Sequence, residues 1–361
     1  MTGISARIAG IRQQYPDNLM ARHFDSAYFD GLTPQLQARL IRIITTGIEN
    51  PDSQMGAYAM QPDDYALFQP YLDKMIRDYH GIQGELRQLS DWHTGGVLDL
   101  SAIDPSLNDI SMRVRVGRNL RDFPLPGAMN RDDRIRFEQT MVSAFEALMQ
   151  TPVFGGCYVS LTPGSPYEIS SAQYLQLVAE HKMFKDMSAD SYLSVAGISA
   201  DWPYGRGMYV SADGQFIIWV GEEDQLRIMA MKRGYILNDI FSRLHSSLDF
   251  LAAQGLNFAH SDTYGAITSC PTNLGTGMRA SLHLPLPRLT DNGRNTGALK
   301  PLARQLGLSV RGAGGEHTAA GAGGIVDISP GARLQITEGE IARTLYAGVK
   351  ALWALEQQAK A

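Results

Sequence analysis

The segment CPTNLGTGMRASLHLPLP, residues 270–287, joins a cysteine to a strand pattern that carries polar chemistry on one parity. Met278, Ala280, Leu282, Leu284 and Leu286 fall on one side, and Arg279, Ser281 and His283 on the other, because side chains two apart on a strand share a face. Two further stretches behave alike. In SMRVRVG, 111–117, Arg113 and Arg115 alternate with Met112, Val114 and Val116. In EEDQLRIMAM, 222–231, Glu223, Gln225 and Arg227 alternate with Leu226, Ile228 and Ala230. A solvated outer face is the usual fate of such residues. Taken together, though, the three stretches offer Arg113, Arg115, Arg227 and Arg279 with one Glu and no Lys. Arginine is the side chain that grips phosphate oxygens in a planar, bidentate way, so the pattern predicts a clamp for a polyphosphate. Glu223 and Arg227 would stand roughly 13 Å apart on one strand face, at about 3.3 Å per residue. That is too far for a tight ion pair, and it suits a ligand with a cation at one end and a phosphate at the other. No GxxxxGK[ST], no GxGxxG after a strand and no HRD or DFG set occurs, so a nucleotide would be held by arginines and not by a glycine loop.

The elements that must carry these residues can be read from periodicity. Residues 33–49 and 62–81 show apolar residues at helical spacing, with Pro62 suited to a first turn, and 50–58 connects them. Residues 85–110 are weakly patterned and read as a linker. Helical patterns recur at 131–150, 170–184 and 235–255, and Thr337 and Glu340 in TEGE predict a capping box for a last helix. The strand patterns lie at 111–117, in 215–231 and in 278–286. The expected class is α+β: a small helical domain over 1–90, a linker over 91–110 and a larger α+β domain over 111–361.

Bulk properties narrow the function. The chain has 361 residues, 44% hydrophobic and 19% charged, with a formal net charge of −5. A mildly acidic balance argues against sequence-independent nucleic-acid binding. Cys157 and Cys270 are the only cysteines and give neither a disulfide framework nor zinc spacing, so a reducing compartment is expected. No apolar run approaches about 18 residues and no leader-like segment opens the chain. A soluble, cytoplasmic protein is expected, with no membrane or nucleic-acid partner. His93, His245 and His260 show no metal-ligand spacing.

CPTNLGT followed by RAS-x-H, EED-x-LR, the R-V-R strand and VRG…GEHT resemble the phosphagen (guanidino) kinases, over nearly the whole chain. IENPDSQMGAY, 48–58, resembles their guanidino-specificity loop. The resemblance implies a helical domain joined to a large domain whose antiparallel sheet is flanked by helices. It implies ATP:guanidino phosphotransfer, with L-arginine as guanidino substrate and ATP/ADP as nucleotide, and a monomer or homodimer. Mg²⁺ would enter as MgATP, held by phosphates and water, with no protein ligand. Arg113, Arg115, Arg227, Arg279 and Arg311 match nucleotide-phosphate grips, and His181 and His283 match nucleotide-site positions. Glu223 and Glu316 match the carboxylates that orient the guanidinium, and Cys270 the cysteine beside it. Ser53, Gly56 and Tyr58 match the loop that closes over the rest of the substrate.

The chemistry is coherent. A guanidinium is a poor nucleophile, two carboxylates at its edges can align it and favour loss of its proton, and arginines with Mg²⁺ can stabilise the transferring phosphoryl. Cys270 is expected to be a thiolate, its pKa lowered by neighbours such as the Thr272 hydroxyl. Met112, Gln225, Gly314, Gln54 and Met55 depart from the family pattern. RGAGGEHTAAGAGG, 311–324, reads as a glycine-rich lid. Taurocyamine and creatine are the alternative guanidino substrates, and the alternative functions are a protein-arginine kinase and a non-catalytic nucleotide-binding scaffold.

Overall fold

The computed structural model describes residues 2–312 and 321–359. The chain packs as two compact units. One comprises Met1–Arg87, Gly117–Ile228 and Leu251–Gly277, the other Gln88–Val116, Met229–Phe250 and Met278–Ala361. The strands, in chain order, are β1 (Ile110–Arg118), β2 (Gly156–Ser160), β3 (Gly207–Ser211), β4 (Phe216–Val220), β5 (Leu226–Gly234), β6 (His260–Ser261), β7 (Gly265–Ala266), β8 (Met278–Pro285), β9 (Leu308–Gly312) and β10 (Ile325–Pro330). Among the described residues eight of them form one sheet in the order β2-β3-β4-β5-β1-β8-β10-β9, and β6 and β7 form a small ribbon. The predicted helical N-terminal region and the helix-flanked antiparallel sheet are both present.

In the first unit the regular elements of the N-terminal region are all helices: Thr2–Gln14, Leu19–His23, Ser26–Asp30, Pro34–Glu49, Asp64–Leu67 and Gln69–His80. Helix Pro34–Glu49 begins where the sequence places it. Thr33 caps it by accepting from the Leu36 N–H, and Pro34 occupies the first turn. Leu40, Ile43, Ile44 and Ile48 recur at helical spacing and are buried. The continuous helix expected over 62–81 is instead two, and Pro62 precedes both. The Asp64 carboxylate accepts from Met60 and Gln61 N–H at 2.6 and 2.8 Å, which delays the start. Pro70 lacks an N–H and disfavours helical backbone before it, so the chain restarts with Pro70 in the first turn of Gln69–His80. Residues 50–58 are pinned at close range: Gly47 N–H donates to Gly56 O at 3.1 Å. A Cβ on Gly47 would run into the Gly56 backbone, and Gly56 itself has φ +71°.

Helix Arg131–Met149 opens on a capping box of Asn130 and Asp133. The stretch 215–231 is split into β4 and β5 by a turn over 221–225, where the sequence predicts one strand face.

In the second unit the strand reading holds closely. Met112, Val114 and Val116 of β1 and Met278, Ala280, Leu282 and Leu284 of β8 are buried to 1% or less. The antiparallel register pairs Arg113 with Ser281 and Arg115 with Arg279. It also pairs Asp327 of β10 with both His283 and Arg311. Residues 91–110 carry two 3₁₀ turns, Leu100–Ala102 and Pro105–Leu107, capped by Asp99 and Asp104. The last helix, Glu338–Gln358, has the predicted Thr337–Glu340 capping box and packs on β8 and β10. No described helix is long and apolar enough to cross a membrane.

Candidate active site

The first unit holds Ser53, Gly56, Tyr58, His181, Glu223, Arg227 and Cys270; the second holds Arg113, Arg115, Arg279, His283 and Arg311. Glu316, with Gly314 and His317 of the expected lid, lies outside the described residues.

In the first unit Ser53 Oγ accepts the Gly56 N–H at 3.0 Å, closing the loop on itself. Tyr58 N–H donates to Ile43 O at 2.9 Å, and Ala59 N–H to Ser269 O at 2.8 Å, which fastens the loop to the residue before Cys270. Burial raises the Tyr58 phenol well above its ordinary range, and the neighbouring Cys270 and Glu223 reinforce this. Tyr65, fully buried, donates to Thr268 O at 2.8 Å, and His80 Nε2–H to Pro271 O at 3.0 Å. Helical-region side chains thus hold the backbone on both sides of the cysteine.

Cys270 ends an extended segment at a 3₁₀ turn, Pro271–Asn273. Its Sγ lies 3.0 Å from Thr272 Oγ1. The expected thiolate is not what this environment favours. Burial first, and the Glu223 charge second, push the thiol up to about 12, and the Thr272 hydroxyl offsets only part of that. This environment favours the neutral thiol, and a cation beside it would be needed to draw the pKa down.

Glu223 and Arg227 are not held apart. Arg227 Nη2 lies 3.5 Å from Glu223 Oε2 and 2.8 Å from Glu222 Oε2. The Glu222 contact is an ion pair without hydrogen-bond alignment. The separation expected for one strand fails because β5 begins only at Leu226, and the Gly221–Gln225 turn folds Glu223 back toward the strand. The Arg227 guanidinium also sits 5.7 Å from the Trp219 ring centroid. Trp219 Nε1–H donates to Lys182 O at 2.7 Å; the preceding residue, His181, is exposed and has φ 57°. Asn273 Nδ2 donates to Glu223 Oε2 at 3.4 Å.

Gln225, read as part of the charged face, is buried. Its amide accepts from Leu120 N–H at 2.7 Å and donates to Pro124 O at 2.8 Å, a structural clasp. Sequence reasoning missed Asp224 and Asn119. Asp224 is 4% exposed and accepts from Asn119 Nδ2 and from Ser269 N–H at 2.8 and 2.7 Å. Burial raises its carboxyl, against those donors. The signal was available: Asp224 shares the parity of Leu226 and Ile228, and a carboxylate on an apolar face calls for buried partners.

In the second unit one sheet face gathers Arg113, Arg115, Arg279, His283 and Arg311, because directly paired residues share a face. At its centre stands Asp327, also missed. Arg279 Nη2 donates to Asp327 Oδ1 at 2.6 Å, and His283 Nε2 lies 3.8 Å from Asp327 Oδ2. Arg279 is 8% exposed, and its buried Nε has no hydrogen-bond partner among the described residues. Such a donor, opposite Arg115 in the register, is an anion-seeking arrangement. Burial lowers the His283 pKa; Asp327 opposes the shift, and Arg113 and Arg233 reinforce it. Among the described residues no group of three or more His, Cys, Asp or Glu is arranged to hold a metal ion.

The family described as ATP:guanido phosphotransferase, C-terminal catalytic domain, matches residues 136–359, and its N-terminal domain matches 14–77. Arginine kinase Oct f 2 of Amphioctopus fangsiao is 37% identical over 336 residues, covering 92% of this chain and 92% of that protein. The arginine kinase of Limulus polyphemus is 34% identical over 350 residues, 95% of this chain and 93% of the other. Among solved structures, a lombricine kinase superposes with a TM-score of 0.83 at 27% identity, covering 95% and 93%. A duplicated taurocyamine kinase from Schistosoma mansoni, with bound transition state analog components, gives 0.81 at 28% identity over 99% of this chain. The chain spans about half of that protein, 48% of its length. The chain belongs to the ATP:guanido phosphotransferase family, the phosphagen kinases.

Proposed function

We propose that the protein is an arginine kinase of the cytoplasm, catalysing reversible transfer of the ATP γ-phosphoryl to the guanidino group of L-arginine, with ADP and N-phospho-L-arginine as products and energy buffering as its role. The observation that carries this is the Ala59–Ser269 link, which ties the Ser53–Tyr58 loop to Cys270 and, through Asp224 and Asn273, to Glu223. It gathers a carboxylate, a thiol and a substrate-length loop in one unit.

In this reading Glu223, with Glu316, aligns the guanidino nitrogen and accepts its proton as the N–P bond forms. Cys270 becomes a thiolate once the guanidinium cation lies against it, which restores the charge that burial suppresses. Arg113, Arg115, Arg279 and Arg311 receive the nucleotide phosphates, and Arg227 is assigned to the charge that develops as the O–P bond to ADP breaks. Mg²⁺ carried by the nucleotide, with phosphates and water as its ligands, would supply charge stabilisation at the transferring phosphoryl.

Taurocyamine is the second reading, favoured by the likeness to a taurocyamine kinase. ADP release from MgATP across a panel of guanidino compounds, with ³¹P NMR of the product, separates them. Arginine-dependent turnover with an N-phosphoarginine resonance is the expected outcome. Turnover with taurocyamine or creatine alone would keep the mechanism and replace the substrate. Silence across the panel would favour protein-arginine substrates or a non-catalytic role.

A further inference from the structure

Arg206 is 0% exposed and spends its guanidinium on backbone. Nε donates to Gly221 O at 3.1 Å, Nη1 to Tyr204 O at 2.8 Å and Nη2 to Ile198 O at 2.8 Å. Burial, with Arg134 nearby, draws its pKa down to about 9. A buried cation is costly to hold, so its fork must supply something a neutral side chain does not. That something is reach: one rigid plane ties the 198–206 stretch, at Ile198 and Tyr204, to Gly221.

The Gly221 end bears on chemistry. Gly221 opens the turn that carries Glu223, and its N–H donates to Gln225 O at 2.9 Å, closing the turn with Glu223 at its middle. Its φ is +77°, and a Cβ there would run into the Gly205 carbonyl oxygen and approach Arg206 Cδ at 3.2 Å. The turn therefore rests directly on Gly205 and Arg206. The other end is held by the Gln225 amide and by Asp224 on Asn119 and Ser269. Only the Gly221 end depends on Arg206.

Arg206 is itself held. Gly205 N–H donates to Thr162 Oγ1 at 2.8 Å. Thr162, Ser160 and Tyr158 all donate to the buried Glu138 of helix Arg131–Met149, at 2.5, 2.5 and 2.7 Å. A continuous buried chain thus runs from that helix through Thr162 and Gly205 to Arg206 and the turn.

We propose that Arg206 is a positioning residue for Glu223, fixing the Gly221–Gln225 turn through the Gly221 carbonyl. The proposal rests on the reading of Glu223 as the carboxylate that aligns the guanidino group. The test compares wild type with Arg206→Lys, which keeps a single amine donor but loses the fork, and Gly221→Ala, which disturbs the same contact from the other side. Three quantities are read: amide hydrogen exchange of peptides covering 216–228, nucleotide Kd by titration, and kcat and KM for the guanidino substrate. Expected are cooperative folding, faster exchange confined to the turn, nucleotide Kd within about twofold and kcat lower by about 10- to 100-fold, the scale of a misplaced reacting group.

Unchanged exchange and kcat in a folded Arg206→Lys protein overturns the proposal. So does faster exchange everywhere with nucleotide binding lost in step, or failure of both variants to fold, since each marks a purely structural role. If wild type turns over no guanidino compound, the functional reading fails by itself. Exchange then decides the positioning claim: a turn loosened in both variants upholds it, and an unmoved turn ends it.

Discussion

Arg279 and Asp327 form an ion pair with Nη2 2.6 Å from Oδ1 and side chains only 7% and 6% exposed. The carboxylate is the counter-charge on a face otherwise rich in arginine, and it leaves the Arg279 Nε without a partner among the described residues. Removing one member of a buried pair strands the other, at a cost of about 3–5 kcal/mol. Asp327→Ala should therefore lower stability on that scale in urea unfolding. A polyphosphate such as ATP should recover more stability in the variant than in wild type, because it supplies the missing negative charge. Equal gains in both proteins would separate Asp327 from the anion face.

The same carboxylate shapes a pH dependence at His283. From β10 Asp327 faces the ring; from β1 and β5 Arg113 and Arg233 contribute positive charge. Burial and the two arginines hold its pKa below the ordinary histidine value, so the folded state binds fewer protons there than the unfolded chain. Its share of stability is full above about 6.5 and falls as pH drops through the folded value. A bound polyanion reverses the balance and raises the pKa. Nucleotide binding near pH 6 should then take up protons, read by calorimetry in buffers of different ionisation enthalpy, and His283→Asn should abolish the uptake. Proton release, or uptake unaltered in the variant, would refute the assignment.

These groups show how far the sequence could be read. Strict alternation in SMRVRVG and MRASLHL specifies both the strands and their arginine face, because period-2 burial leaves no other register. The Thr337–Glu340 capping box is local and equally legible. The Glu223 turn was not, since Gly221 followed by EED satisfies the parity of one long strand until the left-handed φ of Gly221 is known. Asn119 and Asp327 escaped for a different reason. Their partners lie far along the chain, 105 residues apart for Asn119 and Asp224 and 48 for Arg279 and Asp327, and pattern reading is local.

Glu223→Gln keeps the size of the side chain and an oxygen for Asn273, but it can neither pair with a guanidinium nor accept its proton. The kcat should fall by about 10²- to 10⁴-fold, the usual worth of a positioned acid or base. Nucleotide Kd should stay within about twofold, because Arg227 keeps Glu222 at 2.8 Å as its principal partner. Loss of nucleotide binding in this variant would show that Glu223 serves Arg227 and not the guanidino substrate.

Cys270 offers a stability test with a definite sign. Its folded pKa is pushed up to about 12, whereas an unfolded thiol loses its proton near about 8.5. Between those values the folded state holds a proton that the unfolded state has released. The contribution is complete below about 8.5 and declines as pH rises, by up to about 1.4 kcal/mol per pH unit for a single proton. Buried tyrosines such as Tyr58 and Tyr65 decline in the same direction, so the difference between wild type and Cys270→Ala isolates the thiol. Urea midpoints should converge between pH 8.5 and 10, with wild type losing more. In ligand-free protein at neutral pH, iodoacetamide should modify the exposed Cys157 long before the buried Cys270, at least about 100-fold faster. Thiolate ultraviolet absorbance assigned to Cys270 should appear only when a guanidinium ligand is bound. A thiolate signal from Cys270 in the free protein would mean that the Thr272 contact, and not burial, sets its charge.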